Sequence, residues 1–70
     1  MNEAMHAHPL TILRLNEVKA RTGLARSTIY DRIKAGEFPA QVSLGTRAVG
    51  WLESDIEAWI VRQVAHSRRK

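Results

Sequence analysis

The stretch RSTIYDRIK, residues 26–34, brings hydroxyl-bearing and cationic side chains close together. Hydroxyl and ammonium groups can bond phosphates and base edges, and an arginine can donate two parallel hydrogen bonds to guanine. Arg26 is the best candidate for this bidentate contact. Asp31 has two interpretations, because its carboxylate can accept a hydrogen bond from a cytosine amino group or pair with Lys34 or Arg32 along a helix. These residue types indicate the chemistry of nucleic-acid binding.

The same stretch has the spacing of a helix with one buried face. Ile29 and Ile33 are four residues apart, which predicts that both face the core. The side chains nearly opposite then point to solvent, and Tyr30 is as consistent with the edge of the core as with a DNA-facing hydroxyl. The residues predicted to face DNA from this helix are Arg26, Ser27, Thr28, Tyr30, Asp31 and Lys34.

A hairpin is predicted in residues 42–51, where apolar and polar residues alternate. Its turn falls at 45–48, with Thr46 and Arg47 at the exposed tip, where both suit contact with a phosphate. Taken alone, Arg47 is slightly more typical of a solubilising loop; after this helix, it favours a DNA-binding wing. The predicted register pairs Leu44 with Val49 and Val42 with Trp51, with both apolar pairs on one face.

The sequence offers little for catalysis. It has no cysteine, no glycine-rich phosphate loop and no His/Asp/Glu cluster at metal-ligand spacing. The acids Glu53, Asp55 and Glu57 are explained by the positive end of a helix dipole, and a core this small leaves little volume for a pocket. We therefore expect no enzyme activity, no cofactor and no metal.

The elements that must position these groups are predicted in the order strand, helix, helix, hairpin, helix. A short strand at 11–14 precedes a brief helix at 17–22. Asn16 fits the N-cap of this helix, and Gly23 fits its C-terminal end because glycine tolerates a positive φ.

The second helix is predicted from residue 25 or 26 to residue 35. Gly36 ends this helix, and Pro39 prevents it from resuming. Phe38 lies between these two residues and is expected to fold back into the core.

The last helix is predicted at 55–64. Ser54 and Glu57 have the spacing of a capping box, with Ser54 at the N-cap. Trp59 belongs to an apolar stripe at helical spacing, and Trp51 to an apolar strand face, so both favour core anchoring over base stacking. The predicted stripe consists of Ile56, Trp59, Ile60 and Val64.

Seventy residues predict one small domain, here expected at 10–64, between a loose tail at 1–9 and a basic tail at 65–70. His6 and His8 in the first tail are expected to be solvated. The net charge is +4, and residues 19–34 contain five basic residues against one acid, as in nucleic-acid binders. No membrane span or secretory signal is predicted, and the absence of cysteine suits a reducing cytoplasm.

The chain closely resembles the AlpA family of small phage- and prophage-associated DNA-binding regulators, over about residues 13–62. The pieces that carry this resemblance are TGLARSTIY, GEFP and GWLESDIEAW, in the order and spacing usual for the family. Such proteins are similar to excisionases and to the DNA-binding domain of MerR-type regulators. The sequence departs from the family at Ala25, where serine often caps the helix, and at Asp31, where a basic or neutral residue is more usual.

The resemblance implies an α+β, mostly α, winged helix-turn-helix that regulates transcription, often of integrase or excision functions. It implies recognition by Arg26, Ser27, Thr28 and Tyr30 and a wing at 45–48. The expected partner is double-stranded DNA in the bacterial cytoplasm, on the nucleoid, with further copies of the chain, RNA polymerase or an integrase as additional partners. Two alternatives remain open: an excisionase that bends attachment-site DNA, and a protein-interaction module without DNA binding.

Overall fold

A computed structural model describes residues 10–69. The tail predicted at 1–9, with His6 and His8, lies outside the described residues, as does Lys70. The elements are β1 (Ile12–Leu13), α1 (Leu15–Thr22), α2 (Arg26–Lys34), β2 (Val42–Ser43), β3 (Val49–Leu52) and α3 (Glu53–Arg68). This order and the predominance of helix confirm the predicted fold class, a small α+β winged helix-turn-helix.

The corner between α1 and α2 depends on Gly23, as predicted. Gly23 has φ 75°, and its N–H donates to the carbonyl of Lys19 at 2.8 Å. The hydroxyl of Thr22 donates to the Val18 carbonyl at 2.8 Å and accepts from the Leu24 N–H at 3.2 Å. The Gly23 bond occupies a carbonyl that the end of α1 would otherwise leave unpaired, and the Thr22 hydroxyl provides an acceptor for the Leu24 N–H just beyond the helix. The chain therefore turns sharply, and α2 begins three residues after Gly23.

Both predicted N-caps, at Asn16 and Ser54, are wrong. α1 begins at Leu15, and the Arg14 N–H donates to the Glu17 carboxylate at 2.7 Å, so Asn16 lies inside the helix. α3 begins at Glu53, which places Ser54 and Glu57 inside it without a capping box. The reason is that β3 runs directly into α3, and the Glu53 N–H donates to the Thr11 carbonyl beside it at 2.8 Å.

The sheet has the antiparallel order β1-β3-β2, so the last strand in sequence is the central one. On one side, Leu13 lies opposite Trp51, and both are buried. On the other, Val42 lies opposite Gly50, and the Leu44 N–H donates to the Ala48 carbonyl at 2.7 Å.

The predicted hairpin register is therefore wrong by one residue. Val42 and Leu44 share a face with Gly50, while Trp51 points to the opposite, buried face. Leu44 is 43% exposed as a result. The missing information is the pairing of β1 with β3, which fixes the side on which Trp51 must lie.

The core is a single cluster below the sheet. Trp51 donates its indole N–H to the Pro39 carbonyl at 3.1 Å, and Trp59 donates to the Glu37 carbonyl at 2.9 Å. Phe38 packs against Trp59 edge to face, with ring centroids 4.9 Å apart. The predicted core roles of Phe38 and both tryptophans are confirmed. The buried side chains are Leu13, Val18, Ile29, Phe38, Trp51, Ile56 and Trp59.

The last helix extends beyond the core. α3 continues to Arg68 rather than ending at Val64, and Val61 and Val64 are 65% and 43% exposed. The prediction that Val64 is buried is therefore wrong, because the first turns of α3 already cover the domain and the later turns have nothing to pack against. Within residues 10–69, no helix has the length and apolar character needed to cross a membrane.

Candidate nucleic-acid interface

The exposed face of α2 carries the residues predicted for DNA contact. Ile29 is fully buried beneath the helix and Ile33 packs against the same core, so the opposite side of α2 faces solvent. Ser27, Asp31 and Lys34 are exposed on it, and Thr28 is half-buried at its flank. The fold thus brings the six candidate side chains of α2 to one surface, while their contact with DNA stays a prediction.

Arg26 and Tyr30 form a pair on this surface. The guanidinium carbon of Arg26 lies 5.3 Å from the centroid of the Tyr30 ring, within the range of a cation–π contact. The Tyr30 hydroxyl accepts a hydrogen bond from the Gln41 amide at 2.9 Å, and its ring lies 6.4 Å from that of Trp51. Tyr30 is therefore an edge of the core and a platform for Arg26, while contact of its hydroxyl with DNA stays a prediction.

Gln41 is the residue near this site that sequence reasoning missed. It lies in the connection before β2, eleven residues after Tyr30, and only the folding of that connection brings the two side chains together. No sequence pattern marked it, because a glutamine in a connection is ordinary. Its amide orients the Tyr30 ring on which Arg26 rests.

Among residues 10–69, Asp31 has no cation within ion-pair distance. The ion pair present in this part of the chain joins Arg21 to Glu53, at 2.7 Å. The alternative in which Asp31 pairs with Lys34 or Arg32 is therefore not supported. Its carboxylate is exposed beside the hydroxyl groups of α2. It is a hydrogen-bond acceptor in an otherwise cationic surface.

The wing consists of β2, β3 and the loop at 45–47. Thr46 and Arg47 are exposed in this loop, as predicted from the sequence. Gly45 has φ 154°, and its carbonyl accepts a hydrogen bond from the Ser43 hydroxyl at 3.3 Å. A short loop with a local hydrogen bond holds Arg47 at the tip of the hairpin.

An open, shallow depression lies at the beginning of α2. Its lining consists of Ala25, Arg26, Ser27, Tyr30 and Asp31. Such a depression suits the convex edge of a larger partner better than an enclosed small molecule. Within residues 10–69, no three His, Asp or Glu side chains are grouped so that they could hold a metal ion.

Comparison with known proteins identifies the family of the chain. The family described as prophage CP4-57 regulatory protein (AlpA) matches residues 11–64. The chain is 51% identical over 57 residues to the uncharacterized protein ORF88 of Enterobacteria phage P4, which covers 81% of this chain and 65% of that relative. It is 42% identical over 55 residues to the DNA-binding transcriptional activator AlpA of Escherichia coli strain K12, which covers 70% of this chain and 79% of that protein.

Proposed function

This chain belongs to the AlpA family of prophage regulatory proteins, and on that premise we propose that it binds double-stranded DNA sequence-specifically and regulates transcription of phage or prophage genes. The observation that carries the proposal is the exposed face of α2, where Arg26 rests on Tyr30 beside hydroxyl-bearing residues. Similarity to the DNA-binding transcriptional activator AlpA of E. coli supports the proposal.

In the proposed complex, α2 enters the major groove and Arg26 contacts a guanine. Thr46 and Arg47 of the wing contact the flanking backbone, and the basic residues at the end of the chain add attraction that is independent of sequence. The chain acts by occupying DNA and by touching a neighbouring protein, not by catalysis.

The regulated genes, in this proposal, are those of integration and excision, and the protein works on the bacterial nucleoid in the cytoplasm. Further copies of the chain, RNA polymerase or an integrase are its proposed protein partners. A promoter bound in the absence of integrase distinguishes this role from that of an excisionase, which requires an attachment site and stimulates excision in vitro.

The test is binding of the full chain to duplex DNA from the region upstream of its own gene, titrated with salt. We expect log K to fall with log salt at a slope of about −0.9 for each phosphate that the protein neutralises. An unrelated duplex of equal length is the control, and it should bind more weakly. Weak binding without salt dependence would instead identify a protein-interaction module and refute the proposal.

A further inference from the structure

A second basic surface lies away from the predicted DNA-facing residues. It is an open groove between the C-terminal half of α2, the Glu37 segment and the exposed end of α3. Its charged or ionisable lining residues are Arg32, Glu37, Arg62, His66 and Arg69. We call this surface the α2–α3 groove.

The fold aligns the basic side chains of the groove. Arg62 and His66 are four residues apart on one face of α3, and Arg69, the C-cap of the helix, follows three residues later on the same side. From α2, the guanidinium carbon of Arg32 lies 6.0 Å from the centroid of the Trp59 ring. The Trp59 indole N–H in turn donates to the Glu37 carbonyl at 2.9 Å, which holds the Glu37 segment against α3.

The groove has a surplus of positive charge. Three guanidinium groups face one carboxylate, that of Glu37, and His66 adds a further nitrogen donor. Among the residues that the structure describes, none of these arginines forms an ion pair, since the pair present joins Arg21 to Glu53. Guanidinium groups in an open groove are suited to phosphate oxygens, which they can bind through two hydrogen bonds.

The position of Arg32 favours DNA as the occupant. Arg32 and Tyr30 lie on nearly opposite flanks of α2. The α2–α3 groove therefore lies along one flank of the exposed face, and the sheet lies along the other. An α-helix with its side chains is about 10–12 Å across, close to the roughly 12 Å width of a major groove, so the two flanks of a helix in that groove face the two DNA backbones. DNA in contact with Arg26 therefore brings a sugar-phosphate backbone within reach of this flank.

We propose that the α2–α3 groove is a second phosphate-binding surface, which holds the DNA backbone on the side of α2 opposite the wing. This inference rests on the proposed function, and it adds Arg32, Arg62 and Arg69 to the contacts. The wing lies on one flank of α2 and the α2–α3 groove on the other. In the proposed complex, protein therefore contacts both DNA backbones that border the major groove.

The test compares two variants of the full chain that remove charge from the exposed end of α3. The first is Arg62→Ala combined with Arg69→Ala, which removes two of the three arginines that line the groove. The second is Arg68→Ala, a matched control, because Arg68 is an exposed arginine on the same helix outside the groove lining. Binding is measured against salt on a random-sequence duplex of about 30 base pairs, roughly three helical turns.

We expect the magnitude of the salt slope to fall by about 1 for each groove arginine removed, and by less for Arg68→Ala. Arg62→Lys should restore most of the slope at its position, since a lysine still presents a charge to phosphate. On the duplex from upstream of the gene, where binding has a defined position, phosphate ethylation interference should lose signals on one backbone for the groove variant while the signals at the wing remain.

The possible results distinguish failure of the second phosphate-binding surface from failure of the proposed DNA-binding function. If the wild-type chain binds DNA and Arg26→Ala weakens it, but the groove variant keeps the wild-type slope and interference pattern, the second surface is refuted and the function stands. If the groove variant binds DNA normally but fails to regulate transcription, the groove binds an acidic protein partner and the inference is overturned. If the wild-type chain shows no salt-dependent DNA binding, both proposals fail.

Discussion

The Arg26 side chain is oriented in the free protein by its contact with Tyr30. Its guanidinium group rests over Tyr30, whose hydroxyl is bonded to Gln41 and whose ring lies near Trp51. Each contact narrows the set of conformations that Arg26 samples in the free protein. Because less side-chain entropy is then lost on binding, this contact should contribute strongly to affinity.

Replacement of Arg26 by alanine should reduce the specificity of binding as well as its strength. Loss of a bidentate contact with guanine should cost about 1–3 kcal/mol and relax discrimination at one base pair. The measurement is binding to a panel of duplexes that differ from the preferred site by single base pairs. Arg14→Ala is the control, since Arg14 is exposed before α1. A uniform loss over the whole panel would show that Arg26 contacts phosphate instead.

Replacement of Arg47 by alanine should have the opposite signature. A phosphate contact from the wing tip carries no sequence information, so all duplexes should bind more weakly by about the same factor. The salt slope should also fall by about 1. The same panel of duplexes checks this. Thr46→Ala is the control, since it changes the same loop without removing a charge. Loss of discrimination at one position would mean that the wing reads bases.

Among the helices, α2 begins without a side-chain cap. Ala25 has φ −77° and ψ 159°, the extended conformation usual for an N-cap residue, but its methyl group offers no acceptor. Ala25→Ser should therefore stabilise the domain by about 0.5–2 kcal/mol without moving the backbone. Urea unfolding measures this gain. Ala35→Ser, at the opposite end of α2, is the control, and an equal gain there would contradict capping as the cause.

Among the strands, β3 depends on a glycine at its centre. A Cβ added to Gly50 would lie 2.5 Å from the Ile12 side chain and 2.9 Å from the Leu13 carbonyl oxygen. The second contact is with backbone, which cannot move aside without separating β1 from β3. Gly50→Ala should thus destabilise the fold by about 1–3 kcal/mol or more.

Thermal unfolding of Gly50→Ala provides the measurement. Ser43→Ala, a change in the neighbouring strand at an exposed position, should shift the midpoint little. If Gly50→Ala unfolds at the wild-type temperature, the close approach of β1 to β3 is not present in solution.

Local signals were sufficient for some elements and insufficient for others. The corner at Gly23 and the extent of α2 follow from neighbouring residues, and the sequence predicted both. The start of α3 and the register of the hairpin depend on contacts between distant segments, such as Thr11 with Glu53. The start of α1 depends on a local bond between Arg14 and Glu17, which competes with the N-cap predicted at Asn16. The exposed face of α2 could be predicted because it follows from one buried isoleucine, whereas the Tyr30–Gln41 bond required the fold.

For the whole molecule, the end of α3 contributes little to stability. Residues 65–69 are exposed, and the core ends near Ile60. Removal of residues 65–70 should change the free energy of unfolding by only about 0.5 kcal/mol, as for other surface changes. Trp59→Ala is the contrast, with an expected loss of about 3–5 kcal/mol because it empties the core. Urea unfolding of both variants checks this, and a large loss on truncation would indicate packing of the α3 end.

The central position of β3 has a consequence for how the protein forms during translation. β1 is synthesised first, but its partner β3 follows about 40 residues later, so Leu13 cannot pair with Trp51 until β3 has been synthesised. Contacts so distant in sequence form late and slow the search for the native state. A nascent chain that already contains α1 and α2 therefore lacks half of its core, and the ribosome must release nearly the entire domain before the sheet closes.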